Sequence, residues 1–521
     1  MRCEPRKLDG RDFDLLVIGG GLQGAAIARE AALREVSVLL IEAGDFGSSA
    51  EVTSPGLLSS GLSYLREGHY AVVREVLEER ERLLRLSPHL ARVAPVLMPS
   101  YRGGSGSKTA SRFGVRMQSW MTRRSTMPRP RELSAREALE TFPELRPDGL
   151  SGAMLSYDAV VVGERLALAN VQAAALAGAT VANYCQLEGL GQDGSVILRD
   201  AVGQADVCIR AAKVVNATGA AVDGVRKLFE IDGPPLVRAS RCSQLVLGSR
   251  SGDTALAVAL PDGRTQQLVP HLDGTLWGAS GDEASVAGGE RSRVTSGDLD
   301  YLLEGLGHAF AEPPKRSDIA FAFASLRAVP LEAAPPGGLN QGGFVVEEGL
   351  PGGALHSVVG AEPATHRALA ERVVARMFAH SVEDSPTRLL ALPGGDGPRE
   401  VVDPLWWRHG SLALDMRTLL RENSDWARPL CPHRPFLEVE AVYATRQLGV
   451  VSLGDLLLRR LIHARGPCLQ DECLRAAHGL FVSERRWPVD SDCDSAIGQV
   501  RESVGQITGD VLEGEQAPLS T

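Results

Sequence analysis

The chain has 521 residues, 44% hydrophobic and 23% charged, with a net charge of −10. That length is too great for one hydrophobic core, so two or three domains are expected. The acidic balance argues against general nucleic-acid binding, and no window approaches the roughly 18 apolar residues that a membrane span needs. The first dozen residues are polar and mixed in charge, so no secretory signal is expected.

In chain order, Phe13–Ile18 reads as an apolar strand, Leu22–Arg34 as an alanine-rich helix and Val36–Ile41 as a second strand. Between the first strand and the helix stand Gly19, Gly21 and Gly24. Strand, glycine turn, helix, strand is the unit that opens a dinucleotide-binding domain. Gly19 permits the sharp turn, Gly21 a close backbone approach to a pyrophosphate at the helix N-terminus, and Gly24 tight helix–strand packing. Glu42 ends the second strand, where a carboxylate accepts from ribose hydroxyls. A single such unit followed by Asp45, Ser48 and Ser49 is typical of FAD proteins.

A helix is expected from Tyr70 to Leu86, with favourable i,i+4 pairs Glu78–Arg82 and Glu81–Arg85. No acidic residue falls between Glu81 and Glu132, whereas eleven Lys and Arg do, from Arg82 to Arg131. Within that basic segment Phe113, Val115, Met117, Trp120 and Met121 suit either an interfacial helix or packing on a cap domain. A second alanine-rich helix is expected over Glu164–Ala177, then a strand over Ala212–Ala217. Asn216-Ala217-Thr218-Gly219 resembles a turn that flavoproteins place near FAD. Strands from Ser243 to Trp277 suggest a mostly antiparallel sheet. Beyond Asp403 the pattern is helical, as in Gly454–Ala464 and Asp471–Arg485, and the last twenty residues are expected to fray. The eight cysteines show no C-x-x-C pair and no Cys/His spacing suited to zinc. Cys468 and Cys473 fall in a helical pattern, so reduced, mostly buried thiols and no metal are expected.

Taken together, DLLVIGGGLQGAAIAREAA, IEAGDFGSS, KVVNATGAAVD, LVPHLDGTLWGAS, FASLRAVPL and LHSVVGAEPATHRALAE carry a resemblance over nearly the whole chain. The sequence resembles the FAD-dependent glycerol-3-phosphate dehydrogenase family, within the D-amino-acid-oxidase-like superfamily. The helical tail, with TRLLALPGG and SLGDLLLRRL, resembles that family's extra C-terminal domain.

The resemblance implies an α/β fold: a Rossmann-like FAD-binding domain, an antiparallel-sheet substrate cap and a helical C-terminal domain. The corresponding segments are 10–80, 152–236 and 340–380 for the FAD domain, 81–151 and 237–339 for the cap, and 385–500 for the helical domain. The cofactor implied is FAD, held by Gly19, Gly21, Gly24, Glu42, Ser48, Ser49, Ala217, Thr218, Gly219 and Gly360. The reaction implied is removal of a hydride from C2 of glycerol 3-phosphate to give dihydroxyacetone phosphate. A quinone or oxygen then takes the electrons. The location implied is cytoplasmic, with or without peripheral contact at the inner face of the membrane.

At the substrate positions this chain departs from the family pattern. Family S-T-K and H-G-G-L-R-Y segments fall on Ser54-Pro55-Gly56 and Ser59-Ser60-Gly61-Leu62-Ser63-Tyr64. The phosphate-facing arginine is therefore Ser63 and the histidine is Ser59. A family histidine expected to help deprotonate substrate falls on Gln244, and a substrate-binding lysine on Glu362. Tyr64 and Arg327 persist. A phosphate dianion in a partly dry site needs compensating cations, and an amide takes up no proton near neutral pH.

Three readings follow. The first is a flavin oxidoreductase with another small substrate, such as an amino or hydroxy acid, bound by Arg327 and Glu362. The second is a flavin-binding protein with little turnover. In the third, His69, His271 or His366 and the basic segment compensate and glycerol 3-phosphate is still oxidised.

Overall fold

The computed structural model describes residues 1–48, 56–58, 70–102, 127–249, 252–270, 275–279, 285–286, 293–331, 343–350, 353–360, 362–398, 403–461, 468–485 and 492–508. The chain opens with strand β1 (Asp12–Ile18), helix α1 (Leu22–Leu33) and strand β2 (Val38–Glu42). Alternation gives way here to continuous burial in both strands, as expected for parallel strands covered on both faces. The chain then leaves this layer through β3 (Leu57–Leu58), α2 (Tyr70–Leu86), β4 (Ala91–Tyr101), β5 (Arg131–Leu133), α3 (Ala135–Thr141) and β6 (Leu150–Val161). It returns with α4 (Gly163–Leu176), β7 (Thr180–Asn183), β8 (Cys185–Leu190), β9 (Val196–Asp200), β10 (Ala205–Asn216) and α5 (Val222–Leu228).

A second excursion holds β11 (Val237–Ser249), β12 (Ala255–Ala259), β13 (Thr265–Pro270), β14 (Thr275–Ala279), β15 (Ser285–Val286), α6 (Ser296–Gly307) and β16 (Ile319–Pro330). Next come β17 (Phe344–Leu350), β18 (Gly353–Val359) and α7 (His366–Phe378). The tail comprises α8 (Pro404–His409), α9 (Ala413–Glu422), β19 (Pro429–Cys431), β20 (Arg434–Leu437), α10 (Glu438–Gln447), α11 (Asp471–Glu484) and α12 (Cys493–Thr508).

The first sheet runs β17-β18-β10-β1-β2-β7, with β8 and β9 attached through β10. Its β18, β10, β1, β2 and β7 are parallel neighbours. Helices α1, α4 and α7 cover one face, where alanines let α1 lie close against its neighbours. The other face packs on β8–β10 and α5. The register pairs Ile18 with Ile41 and with Asn216, so the C-terminal ends of β1, β2 and β10 finish level. In a doubly wound sheet the crevice at those ends is where a ligand sits.

The second sheet runs β15-β11-β14-β13-β12-β4-β6-β3, with β16 joined to β11 and β5 to β6. It is antiparallel except where β12 meets β4. Its outer face packs on α3 and α6 around Phe142, Phe310 and Leu302. The helical tail has its own apolar clusters, around Leu456, Phe481 and Ala441, and around Trp426 and Val439.

Several local expectations are corrected. β6 belongs to the second sheet, so the chain re-enters the first layer at about 162 rather than 152; likewise Leu57 and Leu58 pair with β6. Arg82 pairs with Glu79 one turn back, not with Glu78, whose carboxylate takes Arg74 instead. Burial draws Glu79 inward, and Arg82 follows it. The segment after Ser452 is a short turn of α-helix followed by a π-helical stretch, Leu456–Arg460. α12 continues to Thr508, beyond the point where fraying was expected. Only three of the eight cysteines are buried, and Cys208 is exposed. Cys468 precedes α11 rather than lying in a helix, and it meets Cys431, His433 and Cys473, a convergence that the sequence spacing did not suggest. The apolar residues 113–121 lie outside the described residues.

Candidate cofactor and substrate site

The level strand ends open into a cavity of about 890 Å³. It is lined by Gly19, Gly21, Glu42, Ser48, Ala217, Thr218, Gly219 and Gly360, all expected to hold the cofactor. Gly24 does not line it, and its role is packing: a Cβ there would stand 1.9 Å from the Gly19 carbonyl oxygen. Gly19 itself has φ +106°, and a Cβ would meet the Ala217 carbonyl oxygen at 2.6 Å. The crossing of the two turns thus depends on the absence of side chains. Ser49 lies outside the described residues.

Gly21 begins α1 without a side-chain cap, so the first N–H groups of the helix are free of one. Glu42 is fixed by its own backbone neighbours: Gly20 N–H donates to Oε2 at 2.7 Å and Gly44 N–H to Oε1 at 2.9 Å. Burial pushes its carboxyl up, partly offset by those two donors. Each oxygen keeps a second lone pair for a ribose hydroxyl. Opposite, Thr218 Oγ1 donates to Asn216 Oδ1 at 2.7 Å, and Asn216 Nδ2 donates to the Val222 carbonyl at 2.9 Å. These bonds fold the turn so that Gly219, at φ +58°, can face the cavity.

Other lining residues were not singled out in the sequence. Both amide atoms of Gln23 are buried without a partner among the described residues, at the cavity wall. A buried amide so placed suits a polar ligand. From the tail, Leu458 and Arg459 reach the same cavity. Arg459 and Arg460 both pair with Asp45, and Arg460 does so through two bonds, at 2.6 and 2.8 Å. Burial would raise the Asp45 carboxyl, but Arg460 and Arg459 outweigh it and hold it at about 2. The leucine-and-arginine run Leu456–Arg460 carries no local signal for this, because its partner is over four hundred residues away.

Of the expected substrate residues, Arg327 and Glu362 come together, Nη2 to Oε1 at 3.8 Å. Arg327 is on β16 between Leu326 and Ala328, and Glu362 is two residues past Gly360; those three neighbours line the cavity. Gly360, at φ +52°, packs so closely on Pro330 that a Cβ would stand 2.4 Å from its ring. Gln244 is fully buried on β11, directly opposite Phe323, which lines the cavity. Residues directly opposite in an antiparallel pair project from the same face. Neither amide atom of Gln244 has a partner among the described residues. Tyr64, Ser59 and Ser63 lie outside the described residues, as do His69 and His271. His366 does not line the cavity; it is buried against the Pro363 carbonyl, Nδ1 to oxygen 2.8 Å, and burial pushes it down to about 4.

The parallel sheet, the glycine crossing and the cavity at its strand ends define a dinucleotide-binding flavoprotein. Residues 14–367 match the model of the FAD dependent oxidoreductase family, and the chain belongs to that family, with FAD as its cofactor. More particularly, it is 27% identical to glycerol-3-phosphate dehydrogenase 2 of Mycobacterium tuberculosis, across 98% of this chain and 91% of that protein. It is 26% identical to a glycerol-3-phosphate dehydrogenase of Synechocystis sp., across 86% of this chain and 88% of that protein. Among solved structures, it is similar to the glycerol-3-phosphate dehydrogenase of Bacillus halodurans complexed with FAD, with TM-score 0.76, 21% identity and 96% of each chain covered. The resemblance read from the motifs is borne out, as are the fold class and the cofactor. Among the described residues, no helix is long and apolar enough to cross a membrane.

Proposed function

We propose that this protein is an FAD-dependent dehydrogenase of the glycerol-3-phosphate dehydrogenase type with a rebuilt substrate subsite. It would act on a small hydroxy or amino compound bearing a carboxylate in preference to a phosphate dianion. The observation that carries this reading is the Arg327–Glu362 pair, 3.8 Å apart, whose chain neighbours Leu326, Ala328 and Gly360 line the cavity although the pair itself does not. A phosphate at that point would meet one guanidinium whose charge is already countered by a carboxylate. A zwitterion suits the same pair, with its carboxylate toward Arg327 and its amine or hydroxyl toward Glu362.

When bound, FAD supplies the hydride acceptor. The protein's own residues do the rest. Glu42 would take the ribose hydroxyls, the free N–H groups at the start of α1 would take the pyrophosphate, and Gln23 and Thr218 would add polar contacts along the cavity. Gln244 would orient the reacting hydroxyl or amine by hydrogen bonding, while its amide accepts no proton near neutral pH. The proposed electron acceptor is a quinone or oxygen, and the proposed location is cytoplasmic or peripheral on the membrane through the Arg-rich segment. Part of that segment is already engaged internally: Arg92 donates to the Pro270 carbonyl and lies over the Trp407 ring.

The test is anaerobic bleaching of the bound flavin by glycerol 3-phosphate and by a panel of amino and hydroxy acids. Faster bleaching by a carboxylate-bearing substrate supports the proposal. Glu362→Lys should then lower KM for glycerol 3-phosphate by about tenfold, or ~1.4 kcal/mol. Rapid bleaching of the unaltered protein by glycerol 3-phosphate at low concentration overturns it. Bound flavin that no compound reduces would instead support a flavin-binding protein without turnover.

A further inference from the structure

The helical tail contains a cluster that the cofactor site does not use. Cys431 ends β19, His433 stands in the turn to β20, Cys468 precedes α11, and Cys473 sits in its first turn. Their ligand atoms all lie within 4.8 Å of one another. His433 Nδ1 is 3.5 Å from Cys431 Sγ, 3.1 Å from Cys468 Sγ and 3.6 Å from Cys473 Sγ.

One imidazole nitrogen has either one proton or one lone pair. It cannot satisfy three thiols by hydrogen bonding, so the convergence of three sulfurs on it requires another explanation. Tetrahedral coordination provides one. With Zn–S of about 2.3 Å and Zn–N of about 2.0–2.1 Å, neighbouring S and N ligands stand about 3.6 Å apart. The distances found here, 3.1, 3.5 and 3.6 Å, lie at or a little below that value. The backbone N–H of His433 also donates to Cys431 Sγ at 3.4 Å, the kind of outer bond that steadies a metal-bound thiolate. Cys431 and Cys473 are buried while His433 is exposed, so the group is anchored in the core and open to solvent on one side.

We propose that Cys431, His433, Cys468 and Cys473 form a structural zinc site. Three soft thiolates and an imidazole in a closed set of four select Zn²⁺ over hard cations and leave no open position for substrate. On binding, the three thiols pass their protons to solvent, and four bonds to the metal form with no change of oxidation state. The metal ties the β19–β20 hairpin to the start of α11. Just inside it, Cys431, Cys468 and Cys473 share a small cavity with Leu457 and Leu458, and Leu458 also lines the FAD cavity. The staple therefore stands directly behind the segment that carries Arg459 and Arg460 to the cofactor domain.

The full-length holoprotein, purified without chelator, should contain about one zinc per chain by elemental mass spectrometry. Cys468→Ser and His433→Ala should each lose it, whereas Cys208→Ser, at an exposed cysteine on β10 outside the cluster, should keep it. If the variants fail to fold, the reduced unaltered protein decides the matter. After chelator treatment it should take up Co²⁺ with thiolate-to-cobalt charge-transfer absorption and tetrahedral d–d bands. Chelator-free protein without metal that also binds no Co²⁺ overturns the proposal, as does a disulfide between any two of these cysteines in freshly isolated protein.

Discussion

At the residue scale, Gln244 is where the proposed change of substrate is most directly tested. It is fully buried, both amide atoms are without partners among the described residues, and it shares a sheet face with Phe323 of the cavity wall. Leaving a buried amide unpaired costs about 1–3 kcal/mol, a penalty that a bound substrate would relieve. Replacing it by histidine would put a titratable group where none now exists. The Gln244→His variant should therefore show flavin reduction that rises with pH between about pH 5 and 8, a limb absent from the unaltered protein. A stopped-flow pH profile identical in the two would remove Gln244 from the reacting atoms.

At the element scale, cofactor binding rests on the junction of β1, α1 and β10. Gly24 lies where α1 crosses the turn, with the Gly19 carbonyl oxygen 1.9 Å from where a Cβ would be. The two nearest atoms belong to the Gly19 carbonyl and the third is the Ala217 Cβ, at 3.3 Å, so none of them can swing aside by a change of rotamer. Gly24→Ala should push α1 away from the strand ends, at a cost of about 1–3 kcal/mol. The expected result is a protein purified with little or no FAD, seen as loss of the visible flavin bands. Retention of full flavin content would show that α1 can shift without opening the site. This junction was legible in the sequence because all of its determinants lie within about thirty residues, together with one short turn after β10. The membership of β6 was not legible, since a strand of buried apolar residues reads alike in either sheet. Its partners, β4 and β3, settle the matter.

At the scale of the whole molecule, the helical tail is locked to the cofactor domain through Asp45. Its carboxylate is fully buried, accepts from Asn183 Nδ2 at 2.9 Å, and holds Arg460 through both oxygens and Arg459 through one. Removing one member of a buried ion pair costs about 3–5 kcal/mol, because the other charges stay buried. Asp45→Asn should therefore loosen the tail, read as faster limited proteolysis beyond residue 380 and weaker flavin retention. The pH dependence has a definite sign. The folded carboxyl is held at about 2, below the ordinary unfolded value of about 3.9. Its stabilisation is complete above about pH 4 and is lost as pH falls toward 2. Tail protection in the unaltered protein should fade in that window, and a flat response there would separate Asp45 from the docking of the tail.

By itself, the sequence determined the βαβ unit, the glycine turn, Glu42, the second turn at Ala217-Thr218-Gly219 and hence the binding of FAD. It also marked the substrate positions at which a departure from the family pattern is expected. Each of these is encoded by short-range periodicity, by glycines that a turn requires, or by motifs a few residues long. Only the tertiary structure decided that Arg327 faces Glu362, that Asp45 takes Arg459 and Arg460, and that Cys431 and His433 meet Cys468 and Cys473. These contacts join residues about 35 to more than 400 positions apart. Their geometry depends on how sheets and helices pack, and no local pattern carries that information.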